Sequence, residues 1–299
     1  MKRLFFLLII CLFPLFAYSQ LASIPKGYET LDTTALRVFY EFNYPSTFKM
    51  VKRPAAMSVE DSLKQEKFTD YMILEIGRTG ISKFFSDHKR RNDSLIMEIM
   101  KNPQKAQQIA GEIQNSPEAQ KAEASEIFKN YPAGKMTVTD QVVYLSALSY
   151  EDTLNNVQWQ ITSDTMTCLN YLCQKATGDF RGRHYEAWFA PDLPVNDGPW
   201  KFSGLPGLIL FVKDSDNQYI LKAVALDNVQ TPLQFAKRDY IKTNRQEVDK
   251  MKKRFAEDPL GYMANSFPGG QVPQSLPDGK GGTISREDLK MTYHPMELE

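Results

Sequence analysis

Residues 188–212 read WFAPDLPVNDGPWKFSGLPGLILFV. Two of the chain's three tryptophans, four prolines and three glycines fall within 188–210, a density of breakers that no helix interior tolerates. Asp192-Leu193-Pro194 ends a strand, because Pro confines the residue before it to extended geometry. Gly198-Pro199 makes a turn. Leu205-Pro206-Gly207-Leu208 suits a type II turn, with Pro206 presetting φ and Gly207 supplying positive φ at the third position. The apolar run 208–212 then reads as a buried strand. The pattern is strand, long punctuated loop, strand. Two readings of the loop stay open: a rigid cover over one sheet face, or a lip that holds Trp188, Trp200, Phe202 and Leu205, with Arg183 nearby, at a ligand groove.

Outward from this stretch the chain is strand-like over 135–229. Apolar runs at 142–145, 157–162, 167–176, 184–189 and 218–225 are separated mostly by turn residues. Ser163-Asp164 suits one turn and 214–217 a hairpin tip. Connections this short imply antiparallel neighbours, because parallel ones need a long crossover. Upstream, 36–48 alternates aromatic and polar residues, and 71–76 and 81–85 read as two strands about a turn at 77–80. Residues 87–131 differ: charged, rich in Gln, Ala and Glu, with Asn102-Pro103 and Ser116-Pro117 as helix starts and Ala106, Ile109, Ala110 and Ile113 on one face. A helical insertion is expected there, lying against the sheet or serving as a partner-docking arm. Thr243-Asn244-Arg245-Gln246 is a capping box opening a helix with Val248, Met251 and Phe255 as its apolar stripe. Six Gly and five Pro among the 41 residues of 259–299 argue for extended or mobile chain. The expected fold is α+β: one domain over 20–258, mainly an antiparallel curved sheet or half-barrel, with a helical insertion and a C-terminal helix.

Composition narrows the class. The 299 residues hold 36 Lys plus Arg against 36 Asp plus Glu. A nucleic-acid binder needs a basic excess, which is absent. A disordered chain needs low hydrophobicity, whereas 42% of residues here are hydrophobic. Residues 1–19 have the form of a signal peptide: Lys2 and Arg3, an apolar run over 4–16 too short to span a bilayer, then Ala17-Tyr18-Ser19 before the expected cut. Losing Lys2 and Arg3 from the 36 basic groups leaves a net charge of −2, and no integral membrane segment remains. The protein is then exported, to the periplasm or beyond, where the surroundings oxidise thiols. Cys168 and Cys173 would remain. On one straight strand they point to opposite faces, so a disulfide needs a bend. A disulfide and two buried free thiols both stay open.

Signals for catalysis are sparse. There is no H-E-x-x-H, G-x-S-x-G or phosphate-binding glycine loop. Asp214-Ser215-Asp216 begins like a calcium loop, but loop position six is not Gly and Ala225 stands where the bidentate Glu belongs. No metal and no cofactor is expected. A thiol enzyme or hydrolase using Cys173 and His184, with Arg183 nearby, is the alternative to a non-catalytic binding module.

Gly204-Leu205-Pro206-Gly207-Leu208-Ile209 resembles the signature of the GLPGLI family, exported Bacteroidota proteins of unknown function of the Porphyromonas type. Cys173-Gln174-Lys175-Ala176-Thr177, Phe180-Arg181-Gly182-Arg183, Ala187-Trp188-Phe189 and Gly198-Pro199-Trp200-Lys201-Phe202 stand in the family's order. So do Ile76-Gly77 and Ser82-Lys83-Phe84-Phe85. The resemblance covers roughly 30–250, with an aliphatic residue expected at 168 where this chain has Cys. It implies an envelope protein associated with TonB-dependent outer-membrane transport; the expected curved sheet with a helical cover would itself offer an apolar groove for a hydrophobic ligand or an envelope protein. The resemblance supplies no catalytic residues; its motifs are Gly, Pro and aromatic residues, which shape backbone and packing.

Overall fold

The computed structural model describes residues 25–45, 48–50, 67–105, 108, 124–142, 147–154, 157–262, 264, 272–277 and 283–298. The signal-peptide expectation at 1–19, the helix start at Ser116-Pro117, the Ala106–Ile113 face and most of the 142–145 run lie outside them. One twelve-stranded sheet organises the rest. Its strands are β1 (Gly27–Pro45), β3 (Lys67–Gly77), β4 (Ser82–Ser86), β5 (Glu126–Lys129), β6 (Lys135–Gln141), β7 (Ala147–Thr153), β8 (Gln160–Cys168), β9 (Tyr171–Phe180), β10 (Arg183–Ala190), β11 (Leu208–Asp214), β12 (Ile220–Lys237) and β13 (Ile241–Lys242). The order is β13-β7-β6-β5-β4-β3-β1-β12-β11-β10-β9-β8. Every pair is antiparallel except β13 with β7. Two meanders therefore flank β1, the first strand in sequence and a central one in space.

The alternation in β1 sets the inner face. Val38, Tyr40, Phe42 and Tyr44 are buried while the residues between them are only partly so. Phe84 of β4 meets Tyr40 edge-on at 6.2 Å. The sheet curls around this face. Asp152 of β7 and Arg181 of the β9–β10 turn are eight or nine strand spacings apart, roughly 40 Å across a flat sheet. They form an ion pair of 2.6 Å. An open, strongly curled antiparallel sheet is what the short connections imply, and it agrees with the expected curved sheet.

Helices accompany it. α1 (Asp87–Lys101) starts at Ser86, whose hydroxyl accepts from the Lys89 amide. α2 (Arg245–Glu257) buries Val248, Phe255 and Ala256. Its N-cap is Asn244, one residue later than a box opened by Thr243 would place it. The short α3 (Pro259–Tyr262) follows.

Four sequence expectations need correction. The insertion at 87–131 is not helical throughout, since Glu126–Lys129 is a sheet strand. Ser163-Asp164 is no turn: β8 runs through it, with a register irregularity between Ile161 and Thr165. The strand expected over 167–176 is instead a hairpin, folded at Leu169-Asn170 with both φ positive (48° and 67°). The Gly/Pro-rich terminal segment also contributes packed chain. There β14 (Ser275–Pro277) pairs with β15 (Thr283–Ser285), and β16 (Met291–Tyr293) pairs with β2 (Phe48–Met50). Leu289, Met291 and Glu297 are buried.

Glu126 ties α1 and the end of β12 to the sheet. Its side chain is 13% exposed and pairs with Lys83 at 3.3 Å. Burial opposes its charge, but Lys83, Lys89 and Arg238 outweigh that and hold its pKa at about 2. A carboxyl whose folded pKa lies below its unfolded one stabilises the fold above the unfolded value and loses that contribution as pH falls. In urea melts, the wild type should therefore lose on the order of 3 kcal/mol from this group between about pH 4.5 and pH 2. Glu126→Gln should be weaker at neutral pH and should lack that part of the acid slope.

Candidate functional site

The loop 191–207 crosses the inner face of the curl rather than standing off it. Lys129 of β5 rises to meet it and is 3% exposed. Its ammonium pairs with Asp197 and donates to the carbonyls of Gly198 and, at 3.2 Å, Phe202. Burial lowers the Lys129 pKa and Asp197 opposes that fall. Tyr40 donates to the Ile209 carbonyl at 2.7 Å, and Trp159 donates to that of Ser203 at 2.8 Å.

Gly207 does not have the positive φ that a type II turn requires; the left-handed glycine is Gly204, at 94°. Gly207 is needed for space. A Cβ there would lie 2.3 Å from the Ala190 carbonyl oxygen, so the loop passes β10 at backbone contact. Gly198 is similarly pressed against Ile209.

The lip residues do not converge. Phe202 and Leu205 are buried, and Phe202 packs against Tyr185, Trp200, Phe180 and Trp159 at centroid distances of 4.8–6.1 Å. They form core. Trp188 is on the opposite face of β10 from Tyr185 and Ala187. There it donates to Glu186 and lies under Lys175. Only Trp200 among the five candidates lines the cavity under α2. Arg183, instead of standing free, pairs with Asp214 and reaches the carbonyls of Pro295 and Met296.

Cys173 and His184 do not meet either. Cys173 is fully buried, whereas the His184 side chain is 53% exposed and pairs with Asp179. The β9–β10 register separates them by about 20 Å along the strands. The two thiols are free. The hairpin fold puts them diagonally across β8 and β9, since Met166 pairs with Cys173 and Cys168 with Tyr171. The hydrogen bond between them holds Cys168 below the usual thiol range and, with burial, pushes Cys173 up. Among the described residues no group of three His, Cys, Asp or Glu could hold a metal. No described helix is long and apolar enough to cross a membrane.

What the curl does enclose is a cavity of about 100 Å³ between the inner sheet face, α2 and residues 293–297. Its floor is apolar: Phe42, Met72, Phe84, Ile127, Val138 and Leu221. Its rim is ionic. Lys252 pairs with Asp140 at 2.6 Å, Arg245 with Asp249 at 3.1 Å and Lys201 with Asp152 at 2.9 Å. Burial opposes the charge on Asp152, but Lys201 and Arg181 hold its carboxyl below the usual range. Sequence reading missed this rim because its members are scattered from 140 to 297. The one local signal was Arg181-Gly182, both at positive φ (46° and 76°) in a two-residue hairpin turn. A left-handed non-glycine costs roughly 1 kcal/mol, and Arg stands where Asn would be easier.

Fold and site together define a curled antiparallel sheet whose inner face is plugged by its own loop. Residues 180–211, which hold that plug together with Arg181, Arg183 and Lys201, match the model of a family described as a protein of unknown function (Porph_ging). No curated protein matches the chain. Among solved structures, PNGF-II in the C2 and P21 space groups is similar, with TM-scores of 0.46 and 0.45 at 13% identity. The match covers 73% of this chain and 32% and 33% of those chains, so this chain spans about a third of their length.

Two substitutions check the plug. Lys129→Met strands Asp197 and two carbonyls in the interior and should cost about 3–5 kcal/mol in chemical denaturation. Gly207→Ala should cost on the order of 1–3 kcal/mol. If Gly207 served only a turn, Gly207→Asn would be tolerated; close approach to Ala190 requires that it be no better than Ala.

Proposed function

We propose that the protein is an exported envelope protein acting as a non-catalytic binding or accessory module, with its ligand in the cavity under α2. One observation carries this reading: an apolar floor ringed by ion pairs, lined by none of the three histidines and neither Cys168 nor Cys173. Binding sites combine an apolar lining with a few placed polar groups. The volume sharpens the ligand. Pockets for drug-sized ligands run to roughly 300–1,000 Å³, so a space of about 100 Å³ suits one side chain or a small amphipathic fragment rather than a lipid. The GLPGLI resemblance adds a Bacteroidota envelope setting, periplasmic or extracellular, and service to a TonB-dependent transport system. The short family match over 180–211 lies within the roughly 30–250 that the resemblance spans.

Native mass spectrometry of protein gently extracted from its source should find a small ligand retained. Val248→Trp, which fills the cavity from α2, should lose the ligand while the protein stays folded. An empty native protein, or a ligand equally retained by Val248→Trp, would sink the assignment.

A further inference from the structure

We infer that the cationic cluster beside this cavity is a receptor for an extended acidic peptide, and that residues 295–298 of the chain occupy it as a tethered stand-in. The inference rests on the binding-module reading and names the ligand class of that site.

The cluster is Arg181, Arg183, Lys201 and Arg245. The body of the protein supplies three carboxylates to it. Asp152 pairs with Arg181 and Lys201, Asp214 with Arg183 and Asp249 with Arg245. Four cations against three carboxylates leave the cluster one negative charge short, and Glu297 provides it. The Glu297 carboxylate meets Lys201, Arg245 at 3.2 Å and Arg181 at 3.4 Å. Both Glu297 and Lys201 are buried.

The cations are held in position independently of Glu297. Arg183 stacks over Tyr219 at 4.7 Å, Arg181 over Phe180 at 5.3 Å, and Lys201 over Tyr150 and Trp200 at 5.4 and 5.6 Å. Two of the residues that aim them, Arg181 and Trp200, are in the left-handed region at 46° and 51°.

The occupant is read mainly through its backbone. Arg183 donates to the Met296 carbonyl at 2.9 Å and to that of Pro295 at 3.3 Å. The Leu298 amide donates to the Arg181 carbonyl at 3.0 Å. Two main-chain acceptors and one main-chain donor fit any extended peptide, and only the carboxylate selects among them. Met296 and Pro295 also wall the cavity, so a replacing peptide would place its own apolar side chain there. The Tyr185 hydroxyl is buried without a hydrogen-bond partner among the described residues. It stands two residues from Arg183 on the same strand face and is a donor the stand-in does not use.

The probe is a labelled peptide of this chain's own sequence TYHPMELE and its Glu297→Gln counterpart. In the wild type the tether keeps segment 295–298 at an effective concentration of about millimolar, so micromolar peptide should not bind. The full-length variant Glu297→Ala should bind TYHPMELE saturably, with the Glu297→Gln peptide at least tenfold weaker. A folded Glu297→Ala chain that binds neither peptide, or both equally, overturns the inference. Should that variant fail to fold, hydrogen exchange on the wild type decides. Millimolar TYHPMELE should speed exchange of amides 296–298 and leave β9 and β10 unchanged, whereas no change at 296–298 overturns it. Retention of a small ligand is read separately by mass, so a bound molecule with no peptide exchange would reject the peptide and keep the binding module.

Discussion

Asp152 lies near one end of the sheet and Arg181 near the other, and the rest of the structure follows from their meeting. A twelve-stranded antiparallel sheet has no intrinsic reason to stop curling at one radius. The pairing of β7 with the β9–β10 turn, reinforced by Lys201 on the same carboxylate, fixes it. Buried ion pairs contribute little net stability against well-packed apolar alternatives. Their geometry is narrow, however. A sheet slightly wider would leave Asp152 and its two cations stranded in the interior, at a cost far above the worth of the pair. The curl is thus set by a penalty for departing from it.

The same logic fills the inside. Once the curl is fixed, the inner face is too wide to close on side chains of the sheet alone. The loop 191–207 and the aromatic group around Phe202 make up the thickness. Lys129 anchors that loop from β5 by capturing Asp197 and two carbonyls, which answers the problem that an internal loop carries backbone groups with no strand to bond. Gly207 and Gly198 supply clearance where the loop touches β10 and β11. Space stays open under α2, and also beside the loop, where Lys129, Asn196, Asp197 and Ser203 line a second cavity.

Local pattern exposed part of this architecture. Alternation marked β1, β3 and β4, and short turns announced antiparallel pairing, because both are written in neighbouring residues. The stripe of Val248 and Phe255 announced α2. Hairpins at Leu169-Asn170 and Arg181-Gly182 were harder, since Leu and Arg are poor turn residues and only the partner of each favours positive φ. β5 was hidden because four residues between a long charged stretch and the turn at 130–134 carry no period. Most of the rim was hidden: Asp152, Lys201, Arg245 and Glu297 belong to four separate elements, and nothing local distinguishes a buried Lys from a surface one. For the aromatic loop, sequence left two readings, and packing chose. Phe202 and Leu205 went inside, while the pleat sent Trp188 to the other face.

The placement of β1 has a consequence for how the chain reaches this state. Its register joins Gly27 to Lys237 on one side and Thr34 to Gly77 on the other. The β3 edge can be satisfied once the chain reaches Gly77, whereas the β12 edge waits for Ile220–Lys237, roughly 140–160 residues later. Folding rates fall as contacts become more distant in sequence, so this seam closes late. Until then β1 presents a long open edge of backbone donors and acceptors, with Val38, Tyr40 and Phe42 beside it. That is the geometry from which strands pair with the wrong chain. The fold is therefore most exposed to misassembly at its centre, and for the longest part of its formation.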